Sequence, residues 1–168
     1  MALSVPDSNG VVVVPTLTGL SAPYHDPFSR GAIFGLTRGT SRARVARATL
    51  EGINYRLKDI LIAVENESGV KMQDVRIDGG ASNNNFLAQD MADMLDAVVN
   101  RPASVEATSL GAAEMAALAV GFWDIEDMNK ALEIDRSFTP QITEEEREKR
   151  YAIWQDAIKR SIGWMKDK

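Results

Sequence analysis

The sequence predicts an α/β domain, a layered sheet flanked by helices, on three observations. Short runs rich in β-branched and apolar residues (11–14, 32–36, 75–78 and 97–99) alternate with longer stretches whose apolar residues recur at helical spacing. Glycines, prolines and hydroxyl or amide caps mark the boundaries between the two patterns. At 168 residues, 45% apolar and 26% charged, the chain has the size and balance of one globular domain, spanning residues 1–168, with a core of its own.

Each element follows from its residues. Asn9-Gly10 is a turn signal, and the valine run 11–14 behind it reads as a buried strand. The loop 18–27 carries Pro23 and Pro27, which exclude continuous helix or a central strand. Residues 32–36, bracketed by Gly31 and Gly39, form the next strand; the two strands are expected to pair, with the loop packed over one end. From Ser41 the period changes. Val45, Thr49, Ile53, Leu57, Ile60 and Val64 predict a long amphipathic helix with these residues as its apolar stripe, closed by Ser68-Gly69. A strand at 75–78 is broken by Gly79-Gly80, and Ser82 or Asn83 is expected to cap a helix carrying Phe86, Leu87, Met91, Met94 and Leu95. Residues 97–99 read as a strand stopped before Pro102. Thr108 or Ser109 then opens an alanine-rich helix from Leu110 to about Val120, whose small side chains suit close packing. A short helix is expected near 125–132. Thr143 and Glu146 form a capping box for a last helix with Tyr151, Trp154, Ile158 and Ile162 or Met165 on its buried side.

Composition excludes several kinds of chemistry. The chain has no cysteine, so disulfides, thiolate zinc sites and cysteine nucleophiles are out, and a single histidine, His25, rules out multi-histidine metal sites. A net charge of −5 argues against nucleic acid as a partner. The start Met-Ala-Leu-Ser-Val-Pro-Asp lacks the features of a signal peptide, and no apolar run approaches the length of a membrane span, so a cytoplasmic protein is expected.

Neither a P-loop nor a G-x-G-x-x-G fingerprint is present. The candidate for ligand chemistry is Ile77-Asp78-Gly79-Gly80-Ala81-Ser82-Asn83-Asn84, a strand running into two glycines and then a helix. Glycine permits close backbone approach, and the free amides of a helix start attract phosphate. In open α/β sheets ligands gather at the carboxyl ends of strands, where this turn falls. A tight turn with asparagine caps and no ligand accounts for the same spacing. Asp78 offers a water-mediated contact to Mg²⁺, or a cap for the turn. The hydroxyls and glycine at 108–113 repeat the scheme, but their alanines are explained by packing. Arg30, Arg38, Arg42, Arg44 and Arg47 form a basic stretch that reads as solvated or paired. His25 reads as a loop-packing residue, Glu144, Glu145 and Glu146 as a helix start, and Trp123, Trp154 and Trp164 as core or interface anchors.

Beyond this, the segments 13–27 and 30–39, Arg47-Ala-Thr-Leu-Glu51, Asp78-Gly-Gly-Ala81, Asn84-Asn-Phe86, Leu110-Gly-Ala-Ala113 and the Tyr151–Trp154 helix together resemble the C-terminal domain of the FGGY carbohydrate-kinase family, over essentially the whole chain. Arg30-Gly-Ala-Ile-Phe-Gly-Leu-Thr-Arg-Gly39 points to the glycerol-using branch. The resemblance implies an actin-like, ribonuclease H-like ATPase domain. It implies that Gly79, Gly80 and Ala81 contribute to an ATP site with Asn84 at the adenine, and that ATP and Mg²⁺ are the cofactors. It implies further that the polyol site and catalytic aspartate belong to an N-terminal domain absent here, so that no catalytic residue lies in this chain. On this reading the chain is the nucleotide-side half of a kinase that phosphorylates glycerol, inactive alone, and its uncovered apolar face favours a homo-oligomer. A kinase for another sugar or polyol, such as a xylulose kinase, and a non-catalytic nucleotide- or partner-binding module are the alternatives.

Overall fold

The structure, a computed structural model, describes residues 1–104, 106–131 and 133–166. Two small sheets and five α-helices build it. Strands β1 (Val12–Val14) and β2 (Ala32–Phe34) pair antiparallel, Val12 opposite Phe34 and Val14 opposite Ala32, as the two runs led one to expect. The loop between them closes through a Leu20–Asp26 bridge, and the Arg56 guanidinium donates to the carbonyls of Ser21 and Ala22. Helix α1 (Arg42–Ser68) starts on the Ser41 hydroxyl, which accepts from the Arg44 amide, and ends at Gly69 in the left-handed region.

The second sheet has the order β3-β4-β5. Strand β3 (Asp74–Arg76) runs parallel to β4 (Val98–Pro102), and β5 (Ile134–Phe138) runs antiparallel on the far side. Helix α2 (Asn85–Leu95) crosses between them. Helices α3 (Ala107–Ala119) and α4 (Ile125–Ala131) precede β5, and α5 (Glu144–Ser161) closes the fold. Two apolar clusters share α2. Met94 packs with Val12, Val14, Leu20, Tyr55, Tyr151, Trp154 and Ile158, while Met91 and Leu95 pack with Val99 and Phe138.

Several expectations need correction. The buried face of α1 is polar: Glu51, Asn54, Lys58 and Asp59 are buried beside Ala48, Gly52 and Tyr55, whereas Ile53, Ile60 and Val64 are 38%, 37% and 44% exposed. The cause is the neighbouring helices, which meet α1 with hydrogen-bonding groups. Asn54 Nδ2 donates to Asp90 and to the Leu87 carbonyl, Lys58 pairs with Glu148 at 2.9 Å, and Asp59 accepts from the Tyr151 hydroxyl and the Trp154 indole. Pro102 is itself the last residue of β4, paired with Ile134 after a register shift beside Arg101, because a proline at the strand end forfeits only one ladder donor. Strand β5 was not anticipated at all.

Helix α3 begins at Ala107 without a side-chain cap; Thr108 and Ser109 lie inside its first turn, and the Ser109 hydroxyl donates back to the Glu106 carbonyl. None of its residues is buried, so close packing of the alanine helix is not realised within this chain. Helix α4 matches the short helix expected, although Leu132, its expected end, lies outside the described residues. In α5 the Thr143 hydroxyl accepts from the Glu146 amide, giving half of the capping box, and Tyr151, Trp154 and Ile158 are buried as expected. Ile162 is past the helix end and exposed, and Met165 is half-buried, because the chain turns away after Ser161. His25 is exposed at a positive φ of 51°, a turn residue rather than a packing one. Trp154 is core, Trp123 stacks on Phe122, and Trp164 is exposed. Three of the five arginines in the basic stretch are spent locally: Arg30 on the Pro27 and Ser29 carbonyls, Arg44 on Gly39, and Arg47 on Glu51 and Val5.

Candidate functional site

The diglycine turn lies at the carboxyl end of β3. The Ile77 amide still bonds to Asn100 on β4; the chain then leaves the sheet through Asp78 and Gly79, whose φ of 80° only glycine adopts without strain. A single 3-10 turn, Gly80–Asn83, follows, held by the Ser82 amide and hydroxyl, which both donate to the Gly79 carbonyl at 3.0 and 2.7 Å. Helix α2 starts only after it. Its N-cap is Asn84, not Ser82 or Asn83, and Asn84 Oδ1 accepts from the amides of Phe86 and Leu87 at 3.1 and 3.3 Å. The inserted 3-10 turn consumes the residues that sequence spacing had offered as caps.

The two glycines differ in what they require. Gly79 needs its backbone conformation. Gly80 has an ordinary φ, and a Cβ placed on either residue would find no atom within 4 Å. The fold therefore gives no packing reason for Gly80 to be small, and the surface above it is open to a ligand's close approach.

The structure does not gather the expected site residues into one cavity. Asp78 borders a cleft of about 230 Å³ with Arg76, Ile77, Pro102, Ala107 and Ile134, at the strand ends beside the start of α3. Asp78 also borders, together with Ala81 and Ser82, the groove between α1, β3 and α2. Asn84 lies beyond the 3-10 turn, in a separate recess of about 430 Å³ formed with Ala46, Thr49 and Leu50 of α1, Phe86 and the first three residues. Gly79 and Gly80 are not among the residues lining these three cavities. Since Asn84 Oδ1 is engaged by the helix, its amide group is the part left to contact a ligand.

One residue that sequence reasoning missed holds the turn in place. Arg101 on β4 donates to the Ser82 carbonyl at 3.1 Å and to Asn85 Oδ1 at 2.9 Å, while its other arm pairs with Asp135 on β5 at 2.7 Å. An arginine just before the strand-ending proline was the available signal, but its partners lie 16 to 34 residues away. Among the described residues no cluster of three or more histidine, cysteine or carboxylate side chains is arranged to hold a metal ion. Asp78 is a single exposed carboxylate, which fits a water-mediated contact to an ion carried by a bound phosphate and does not make a metal site alone. No helix among the described residues is long and apolar enough to cross a membrane.

The sequence profile of the FGGY family of carbohydrate kinases, C-terminal domain, matches residues 1–120. The chain belongs to that family. It is 52% identical over 167 residues to a glycerol kinase of Haemophilus influenzae and 51% identical over 167 residues to that of Caldanaerobacter subterraneus, in each case covering 99% of this chain. It spans about a third of the length of these curated relatives: 33% and 34%. Among solved structures, Plasmodium falciparum glycerol kinase with ADP matches over 95% of this chain and 32% of its own, with a TM-score of 0.86 and 32% identity. A ligand-bound xylulose kinase from Lactobacillus acidophilus matches over 96% of this chain and 34% of its own, with a TM-score of 0.77 and 26% identity. The FGGY membership expected from the motifs and the actin-like α/β architecture both hold.

Proposed function

We propose that this FGGY domain is the nucleotide-side part of a kinase that moves the γ-phosphoryl of ATP to a terminal hydroxyl of glycerol. The observation that carries the reading is the combination of 52% identity to a glycerol kinase with a backbone match of TM-score 0.86 to a glycerol kinase described with ADP. On this reading residues 1–168 form the nucleotide side, and a further domain supplies the polyol site and the catalytic base.

The local physics agrees with a phosphate seat. The amides of Gly80 and Ala81 open the 3-10 turn unhindered by any Cβ at 79 or 80, and exposed amides at such a start favour anions. Asn84 would present its amide group to the adenine while its Oδ1 remains on the helix. Mg²⁺, where it accompanies the nucleotide, neutralises phosphate charge, and Asp78 would meet its water shell. Arg101 fixes the turn against the sheet, so the seat is set before nucleotide arrives. Phosphoryl transfer depends on positioning and charge stabilisation from both sides of a closed cleft, so this chain alone is expected to bind nucleotide weakly and transfer nothing.

Titration calorimetry with ADP tests the assignment on wild type, Gly80→Val and Asn84→Asp. The valine obstructs the turn without meeting protein atoms near its Cβ. The aspartate keeps an acceptor for the Phe86 and Leu87 amides but removes the amide donor. Each variant is expected to keep its melting temperature and to bind ADP at least tenfold more weakly, about the loss of one good polar contact. Equal affinity in all three proteins would remove the turn from the site.

A further inference from the structure

We propose that Arg101 and Asp135 are positioning residues for the nucleotide: a bulge in β5 aims the Asp135 carboxylate at Arg101, and the Arg101 guanidinium holds the diglycine turn in the shape that receives phosphate, a role that rests on the nucleotide reading above. Strand pairing gives the first observation. Arg101 stands opposite Arg136, but the next residue, Pro102, stands opposite Ile134, so Asp135 is an extra residue on β5 with no partner on β4. In an unbroken ladder Asp135 would point to the face opposite its neighbours. The bulge re-aims it, and Asp135 Oδ2 accepts from Arg101 Nε at 2.9 Å and from Nη2 at 2.7 Å.

With those two nitrogens held, Nη1 is left to face the start of α2, where it donates to the Ser82 carbonyl at 3.1 Å and to Asn85 Oδ1 at 2.9 Å. The Phe138 ring lies under the guanidinium, 5.6 Å from centre to Cζ. The turn has little else to fix it. Two glycines leave the backbone at 79 and 80 its widest choice of conformations, and a Cβ on either would meet no atom within 4 Å, so nothing packs against that side. Among the described residues, the other hydrogen bonds of residues 78–84 stay inside the segment or run forward into α2. Arg101 is the polar tie from the sheet to this turn.

Backbone amides bind an anion well only when they are aligned before it arrives; a loose turn adds its own ordering cost to binding. Arg101 removes that cost without touching the nucleotide. A lysine cannot take its place, because an ammonium on a flexible stem is a point charge and does not bridge Ser82, Asn85 and Asp135 together. Asp135 acts on the turn only through Arg101, so removing both should cost no more than removing Arg101.

ADP affinities from amide NMR titrations test it on wild type, Arg101→Met, Arg101→Lys, Asp135→Asn and the Arg101→Met/Asp135→Asn double variant, with Gly80→Val reporting on the seat itself. Both Arg101 variants are expected to bind about tenfold more weakly. Asp135→Asn, which neutralises a half-exposed carboxylate and leaves the core intact, is expected to lose about threefold. The double variant should match Arg101→Met. Hydrogen exchange without nucleotide separates positioning from general destabilisation: the Ser82 and Asn84 amides, bonded within the turn, should exchange at least about tenfold faster in Arg101→Lys, with the amides of α5 unchanged. Wild-type affinity in Arg101→Lys would mean that charge near the seat matters and its alignment does not, which overturns the proposal. So would losses that multiply in the double variant. Arg101 variants that bind normally while Gly80→Val does not would defeat this proposal alone; normal binding by Gly80→Val would defeat the nucleotide reading and this proposal with it.

Discussion

Asn84 answers to two demands at once: its Oδ1 starts α2, and its amide group is the part we assign to the nucleotide. The familiar alanine substitution would confuse the two, because losing an N-cap costs about 1 kcal/mol of stability by itself. Asn84→Asp separates them, which is why binding and melting should diverge in that variant. The spacing of Asn84 from Gly80 was legible in the sequence, but its capping role was not. Ser82, Asn83 and Asn84 are all good caps, and only the 3-10 turn decides among them. A second residue-scale test concerns the core. Burial raises the carboxyl of Asp59 above its usual range, with the Tyr151 hydroxyl and the Trp154 indole pulling the other way, and burial likewise raises Glu51. A carboxyl raised in the folded state stabilises the fold most below its ordinary value near about pH 4, and that contribution fades as pH climbs through the raised value. Urea midpoints measured from pH 4 to 8 should therefore decline less steeply in Asp59→Asn than in wild type. Parallel profiles would show that the buried carboxyl is not the source.

At the scale of elements, α1 shows what periodicity can and cannot give. Its extent, from the change of period at Ser41 to the Gly69 stop, was readable from local chemistry. The direction in which it faces was not, because the burial of Glu51, Asn54, Lys58 and Asp59 depends on partners that α2 and α5 bring from 33 to 99 residues away. Gly52 marks the closest approach of α1 to the first sheet: a Cβ there would lie 2.2 Å from the Val13 carbonyl oxygen. Gly52→Ala must therefore push α1 off β1, and we expect a loss of about 3 kcal/mol in chemical denaturation, against almost no effect from Gly80→Ala, whose Cβ is free. Equal destabilisation by the two would contradict the packing described. Strand β5 escaped sequence reading because Asp135, Arg136 and Ser137 carry no strand preference. What places it is pairing with β4 and the burial of Phe138.

For the whole molecule, the motifs told more than the periodicities did. Asp78-Gly-Gly-Ala81 and Arg30-Gly-Ala-Ile-Phe-Gly-Leu-Thr-Arg-Gly39 carried the resemblance to the FGGY family, which the profile match and the glycerol kinase relatives support. The apolar side of α1 and the uncovered α3 fit a chain that spans a third of those relatives' length, since faces that would be covered by further polypeptide or a second copy cannot be read from one domain's own contacts. In the proposed function ADP sits over the diglycine turn. An amide NMR titration of the isotope-labelled chain with ADP tests it most directly. Progressive shifts are expected on the amides of Gly79, Gly80, Ala81 and Asn85, with β1 and β2 unmoved. Saturable binding that leaves those four amides in place and moves another part of the chain would contradict it.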